Sequence, residues 1–170
     1  PHYLIGVGNL FLRSKAFDEA EQVYLDIYQR NPNVEAIYLA LATTSKAQGD
    51  KDKAINWYEK ALDQNPAFED SRAELQQIYE KDKNWDAAIA LYEKLIAKDG
   101  NNLSHKLQLG QYYYRNKNIP SAMNVYEQAV KDNPLSERAY LALGALQITQ
   151  QDTSAAIATF QQAIDKKTSF

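Results

Sequence analysis

Apolar residues recur along the chain in pairs of stripes, and each stripe has the three-and-four spacing of one helix face. In the segment 1–34 they occupy positions 4, 7, 8 and 11, and then positions 17, 20, 24, 27 and 28. Short polar segments such as Gln48-Gly49-Asp50 separate the two stripes of a pair. The pattern predicts a helix, a tight turn and a second helix packed antiparallel to the first.

The same pattern returns at a constant interval along the chain. An alanine recurs every 34 positions, and an aromatic residue follows each alanine by four positions. A glycine or alanine lies twelve positions before the alanine in every case except one, where Gln76 replaces it. Three second helices are expected to end at Asn-Pro, because proline lacks an amide hydrogen and disfavours helical backbone in the residue before it. The recurring pairs are Ala20 and Tyr24, Ala54 and Tyr58, Ala88 and Tyr92, Ala122 and Tyr126, and Ala156 and Phe160.

Each recurring column has a packing role. The small residue on the first helix and the alanine on the second let the two helix axes approach closely. The aromatic residue is expected to fill the space between one helix pair and the next. One pair cannot bury both of its apolar stripes, so consecutive pairs are expected to stack.

These columns resemble the consensus of the tetratricopeptide repeat family, in which Leu-Gly, Tyr, Ala, an aromatic residue, Ala and Pro occupy these offsets. The resemblance covers the whole chain and implies an all-α fold, a right-handed superhelical α-solenoid of five helix–turn–helix repeats. We expect one domain, 1–170, and a piece of a longer repeat protein, because the chain has no initiator Met. The expected repeats are residues 1–34, 35–68, 69–102, 103–136 and 137–170.

The third repeat departs from the pattern. Gln76 replaces the small residue, Leu95 the usual alanine and Gly100 the proline. The repeat also has eight acidic residues against five basic ones. Two interpretations stay open: a change of curvature with an acidic patch for a basic partner, or drift in a tolerant repeat with charges on a solvated face.

The resemblance implies that the first helix of each repeat lines a concave groove that holds a partner. Asn and Gln side chains there offer hydrogen-bond donors and acceptors to a peptide backbone, and the apolar residues offer anchors. In the run Tyr112-Tyr113-Tyr114 we expect Tyr113 in the core and Tyr114 in the groove. Two roles stay open for Tyr114: a main contact with the partner, or packing between repeats alone. The predicted groove residues are Ile5, Asn9, Leu12, Arg13, Leu39, Thr43, Lys46, Gln77, Leu107, Gln108, Gln111, Tyr114, Arg115, Arg138 and Leu141.

Composition argues against several other functions. The chain has no cysteine, and its histidines, His2 and His105, form no metal-ligand pair. A net charge of −3 gives no basic field for a nucleic acid. No apolar run is long enough to span a bilayer, and the carboxylates fall at charged outward positions instead of in a cleft. The sequence therefore predicts no enzyme activity, no cofactor, no metal, no nucleic-acid partner and no membrane insertion.

The favoured function is a protein–protein interaction scaffold that binds a peptide or helical segment in the groove, within a larger assembly. The alternative is a rigid spacer or oligomerisation segment of a larger, bacterial envelope-associated protein, with no groove ligand. The uncapped end of the solenoid leaves two expectations open: more repeats in the full protein, or self-association of two copies. Some family members, the co-chaperones, hold a terminal carboxylate with Lys and Asn on one first helix, Asn on the next, and Lys and Arg on a third. That set is absent in every register of this chain. Richness in Gln, Asn and Tyr without Cys suggests a bacterial protein of the cytoplasm or periplasm.

Overall fold

The computed structural model describes the backbone of residues 2–168 and the side chains of residues 3–166. All regular structure in this described part is helical. The second helices of the predicted repeats begin at positions 17, 51, 85, 119 and 153, and this constant interval confirms the helix–turn–helix period. The helices are α1 (His2–Arg13), α2 (Phe17–Arg30), α3 (Glu35–Ala47), α4 (Lys51–Gln64), α5 (Glu69–Asp82), α6 (Trp85–Lys98), α7 (Leu103–Arg115), α8 (Ile119–Asp132), α9 (Glu137–Thr149) and α10 (Thr153–Thr168).

The chain forms two compact units, Pro1–Lys81 and Asp82–Phe170. Their boundary falls at the end of α5, inside the third predicted repeat. In the first unit α1 packs on α2, α2 on α3, and α3 on α4. In the second unit the same succession runs from α6 to α10. A single domain over 1–170 stays a prediction.

The turn inside each helix pair contains one residue with left-handed backbone. These residues recur with the same period as the helices, and only one of them is glycine. The amide of the next residue reaches back to the helix: Asn118 N donates to Tyr113 O at 2.9 Å, and Asp50 N donates to Ser45 O at 2.9 Å. This pattern satisfies a free carbonyl at the end of the first helix. The left-handed residues are Lys15, Gly49, Lys83, Lys117 and Gln151, with φ of 61°, 83°, 54°, 61° and 63°.

The N-cap residue, just before the first residue of the helix that follows the turn, is asparagine or aspartate in most repeats. Asp50 accepts a hydrogen bond from Lys53 N, and Asn84 and Asn118 accept from Ala87 N and Ser121 N. A side-chain oxygen at this position satisfies one of the amides that the first helical turn leaves free.

The aromatic column packs against the small residue of its own helix pair. A Cβ added at Gly8 would lie 2.4 Å from the Tyr24 ring, so the ring occupies the space that a side chain would need. The Phe160 ring lies against Gly144 in the same way. The prediction that the aromatic residue fills only the space between helix pairs was therefore incomplete. The glycine of the first helix has no Cβ, and this makes room for the ring inside the pair.

One ring also reaches the following pair, as the sequence predicted. In the second unit the Tyr92 ring lies 5.5 Å from the ring of Tyr112 and 5.7 Å from that of His105, both on α7. Tyr112 is completely buried, whereas Tyr113 is half-buried at the edge of the core. The prediction that Tyr113 is the core member of the Tyr run was therefore wrong by one position, because Tyr112 is the fully buried residue.

Candidate functional site

A groove of about 470 Å³ lies between α7 and α9 in the second unit. Ser104 and Arg138 lie in the first turns of these helices, and Tyr114 and Thr149 lie in their last turns. At about 1.5 Å per helical residue, the groove extends roughly 15 Å along the helices. The residues that line it are Ser104, Leu107, Gln108, Gln111, Tyr114, Tyr126, Arg138, Ala142, Ala145, Leu146 and Thr149.

Five of the predicted groove residues meet in this one place: Leu107, Gln108, Gln111, Tyr114 and Arg138. Among the described residues, the two amides, the Tyr114 hydroxyl and the guanidinium have no side-chain hydrogen bond or ion pair. Tyr114 is 43% exposed and lines the groove. The groove therefore presents polar groups without described partners beside an apolar floor, formed by Leu107 and Leu146.

Tyr126 is a groove residue that sequence reasoning assigned only to packing. Its ring lies against Gly110 and only 8% of the residue is exposed, yet it lines the groove. Burial raises the pKa of the Tyr126 hydroxyl above its ordinary value, which already lies well above neutral pH, so the hydroxyl is a protonated donor. No partner for this hydroxyl occurs in the part of the chain that the structure describes.

The equivalent tyrosines of the first two repeats do have partners. Tyr24 donates to Asn9 Oδ1 at 2.7 Å, and Tyr58 donates to Glu74 Oε2 at 3.3 Å. Sixteen residues after Tyr58 stands Glu74, whereas sixteen residues after Tyr126 stands Ala142, which has no side-chain acceptor. The sequence pattern does not by itself mark Tyr126 as a groove residue, because an alanine, Ala40, also stands sixteen residues after Tyr24, which is bound to Asn9.

Arg138 is the one charged side chain among the residues that line the α7–α9 groove. It is exposed and also borders a depression of about 490 Å³ at the start of α9. That depression adds Glu137 and Lys166. The α7–α9 groove itself thus has one positive charge and no carboxylate along its lining.

A second groove, of about 640 Å³, lies between α3 and α5 in the first unit. It brings together the predicted residues Leu39, Thr43 and Gln77. It is acidic, with Asp70, Glu74 and Glu80 in its lining. The other residues that line it are Tyr58, Ala73 and Gln76.

Two of the three carboxylates of the α3–α5 groove are bound within the protein. Glu74 accepts from Lys46 Nζ at 2.8 Å as well as from Tyr58, and Glu80 accepts from Gln76 Nε2 at 3.1 Å. The pKa of Tyr58 is raised by burial first and by the charge of Glu74 second. Internal bonds therefore satisfy much of this groove, and they favour a structural reason for its acidic residues.

The predicted groove residues of α1 lie outside both grooves. Ile5 and Leu12 are half-buried, and Arg13 is exposed. The side-chain oxygen of Asn9 accepts the hydroxyl hydrogen of Tyr24 on α2. That bond fixes the Asn9 side chain to its own helix pair.

Three other predicted residues also lie outside the two grooves. Lys46 forms the ion pair with Glu74 at the edge of the α3–α5 groove. The Arg115 guanidinium lies over the Trp85 ring, 5.3 Å from its centre. Leu141 is 59% exposed and lines neither groove.

The described residues contain no cluster of three or more His, Cys, Asp or Glu side chains placed to hold a metal ion. No helix in that part of the chain combines the length and the apolar character that a membrane span requires.

Two models of the tetratricopeptide repeat match the chain. One matches residues 11–78 and again 47–109, and the other matches residues 107–169. This chain belongs to the tetratricopeptide repeat family. Proteins of this family are typically interaction scaffolds, and membership supports that role here.

Solved tetratricopeptide repeat structures resemble the chain over nearly its whole length. A MamA protein shares 21% identity at a TM-score of 0.60, covering 98% of this chain and 91% of that one. MamA from residue 41 onward from Desulfovibrio magneticus RS-1 shares 17% at 0.59, covering 99% and 95%. YrrB, a tetratricopeptide repeat protein with an unusual peptide-binding site, shares 16% at 0.56, covering 95% and 84%. At these identities the likeness shows the fold alone, the all-α solenoid class. No curated protein sequence matches the chain.

Proposed function

We propose that this tetratricopeptide repeat protein binds a peptide or helical segment of a partner protein in the α7–α9 groove. One contrast carries the proposal: Gln108, Gln111 and Arg138 lack described partners in this groove, as do the hydroxyls of Tyr114 and Tyr126. In the α3–α5 groove, Glu74 and Glu80 are instead bound by other side chains of the protein. Open polar groups beside apolar surface are what an extended ligand uses for orientation and affinity. The peptide-binding site of YrrB, a relative in fold, supports a peptide as the class of ligand.

The lining supplies each contact that a peptide needs. The amides of Gln108 and Gln111 can each donate to a peptide carbonyl and accept from a peptide amide. Leu107 and Leu146 form an apolar floor for one side chain of the ligand. Tyr114 offers an exposed ring and a hydroxyl, the kind of residue that dominates binding energy at interfaces.

A selection from a random peptide library displayed on phage tests the proposal. Wild-type protein is expected to enrich peptides that the double variant Gln111→Ala/Tyr114→Ala binds at least roughly tenfold more weakly, because interface tyrosines typically contribute about 2 kcal/mol. The matched control is Thr43→Ala/Gln77→Ala in the α3–α5 groove, which should keep wild-type affinity. Equal binding by both double variants, or no enrichment by wild type, would refute the proposal.

A second candidate function, self-association, is favoured by α10. Ile157 is 65% exposed and Ile164 is 55% exposed, although Ile89 and Leu62, at the equivalent positions of other repeats, are buried. We propose that this face packs against a second copy of the chain. Sedimentation velocity should show dimer growing with concentration, and Ile157→Ser/Ile164→Ser should remove it. A wild-type monomer at every concentration would contradict self-association.

A further inference from the structure

We infer that the α7–α9 groove recognises an internal peptide segment by an Asp or Glu side chain placed against Arg138. This inference rests on the proposed function and adds the charge of the ligand to it. The ligand is an acidic segment with an apolar neighbour for the Leu107 and Leu146 floor.

The charges of the lining favour an anion. Arg138 has no described ion pair, and no carboxylate lines the groove. A peptide that covered the guanidinium without supplying an anion would leave a charge without a partner at a desolvated surface, which is costly. Arg138 also lies in the first turn of α9, beside the first turn of α7, where helix amides add partial positive charge. A basic peptide would meet repulsion from Arg138 and find no acid in the lining of the groove. The nearby carboxylate of Glu137, also in the first turn of α9, lines the neighbouring depression instead.

Tyr126 is an independent second observation. More than nine-tenths of the residue is buried, its hydroxyl has no described partner, and it lines the groove. A ligand that closes the groove and supplies an acceptor to this hydroxyl replaces its hydrogen bond to water. An ionised carboxylate is the side chain that only accepts hydrogen bonds. Its chemistry complements a guanidinium and a phenol together.

An acidic side chain fits this groove better than the free carboxylate of a chain end. The lining continues from Ser104 in the first turn of α7 to Tyr114 in its last turn, and from Arg138 to Thr149 along α9. A segment can therefore pass along the whole groove. A single cation serves it, and the Lys, Asn and Arg set with which co-chaperone relatives hold a terminal carboxylate is absent.

The test compares peptides and protein variants from the same library selection. Peptides selected on wild type should be enriched in Asp and Glu. A selected peptide should bind Arg138→Gln about tenfold or more weakly, since a hydrogen bond to a charged group contributes roughly that factor. Changing its Asp or Glu to Asn or Gln should weaken binding to wild type equally, and amidating its C-terminus should change nothing. Selection on Arg138→Glu should enrich Lys and Arg instead.

Arg30→Gln is the control for net charge. Arg30 lies on α2 in the first unit and pairs with Asp26, so this variant should keep full affinity. Arg138 is exposed, so the helical content and melting temperature of Arg138→Gln should match wild type.

Each outcome separates this inference from the proposed function. In one outcome the selected peptides bind more weakly to Gln111→Ala/Tyr114→Ala and yet show no enrichment in Asp or Glu. That result refutes recognition of an acidic side chain and leaves the groove as the binding site. Acidic peptides that lose affinity on amidation overturn the internal segment. If wild type enriches no peptide, the proposed function and this inference fail together.

Discussion

The ring of Tyr126 occupies the space in which Gly110 would carry a side chain. A Cβ added at Gly110 would lie 2.3 Å from the ring atom Cε1 of Tyr126, far inside van der Waals contact. Gly110 stands on the first helix of its pair, and Tyr126 on the second. The interhelical distance in this pair is therefore matched to the thickness of an aromatic ring.

Gly110→Ala is expected to destabilise the fold. Overpacking costs roughly 1–3 kcal/mol, and the better helix propensity of alanine returns about 1 kcal/mol, so a net loss of up to about 2 kcal/mol should appear in urea unfolding. Gly6→Ala is the control, because a Cβ there meets nothing within 4 Å. It should be neutral or stabilising, and a similar effect of the two changes would contradict the packing.

Lys117→Gly is expected to stabilise the turn between α7 and α8. Lys117 has φ of 61°, a region that costs a residue with a Cβ roughly 1 kcal/mol and costs glycine little. A gain of about 0.5–1 kcal/mol should appear in the free energy of unfolding. The reciprocal change Gly49→Lys, at φ of 83° in the α3–α4 turn, should lose a similar amount. A loss of stability in Lys117→Gly would contradict the left-handed turn.

The hydroxyl of Tyr113 should lose its proton at a higher pH than an ordinary tyrosine does. It donates a hydrogen bond to the Glu93 carboxylate, which raises its pKa to about 12. The folded pKa exceeds the unfolded value of about 10, so this bond stabilises the fold below pH 10 and is lost as the pH rises from about 10 to about 12. In Glu93→Gln, NMR titration of labelled tyrosine should show the Tyr113 pKa moving towards 10. The exposed Glu127→Gln should leave it unchanged, and a pKa that ignores Glu93 would disprove the bond.

Arg115 is expected to act on stability and not on peptide affinity. Its guanidinium lies over Trp85 and not in the α7–α9 groove. Arg115→Ala should lose about 0.5–1 kcal/mol of stability and change the Trp85 fluorescence, with peptide affinity within about twofold of wild type. Lys60→Ala, which removes the cation over Trp57, is the matched comparison for fluorescence. A large loss of peptide affinity in Arg115→Ala would contradict this prediction and show that Arg115 contributes to peptide binding.

The fold was predictable because its determinants recur. The apolar spacing and the Asn-Pro ends, such as Asn133-Pro134 after α8, are local signals that return in the same phase along the chain. The left-handed turn residues were not predictable, because four of the five have side chains, which disfavour this backbone region. The displacement from Tyr113 to Tyr112 has another cause. A run of three tyrosines has no polar residue to fix its phase, so contacts with Tyr92 decide which ring is buried.

The candidate site was predictable only in part. Helix position alone brought Gln108, Gln111 and Tyr114 to one groove, since residues three and four apart share a helix face. It could not show that Lys46 is engaged by Glu74, or that Arg115 turns to Trp85, because a long side chain can reach several partners from one Cα. Three-dimensional contacts, and not position in the repeat, separate available polar groups from occupied ones.

Tyr126 serves the interior of a helix pair and the wall of a groove at once. A substitution at Tyr126 that suited a new ligand would also remove the ring from its contact with Gly110. Natural selection therefore cannot change ligand contacts at this position without changing the stability of the fold. Gln111 and Tyr114 have no such double duty, since both are exposed. On the proposed function, changes of ligand preference should therefore accumulate at those two residues, while the tyrosine and its glycine are inherited as a pair.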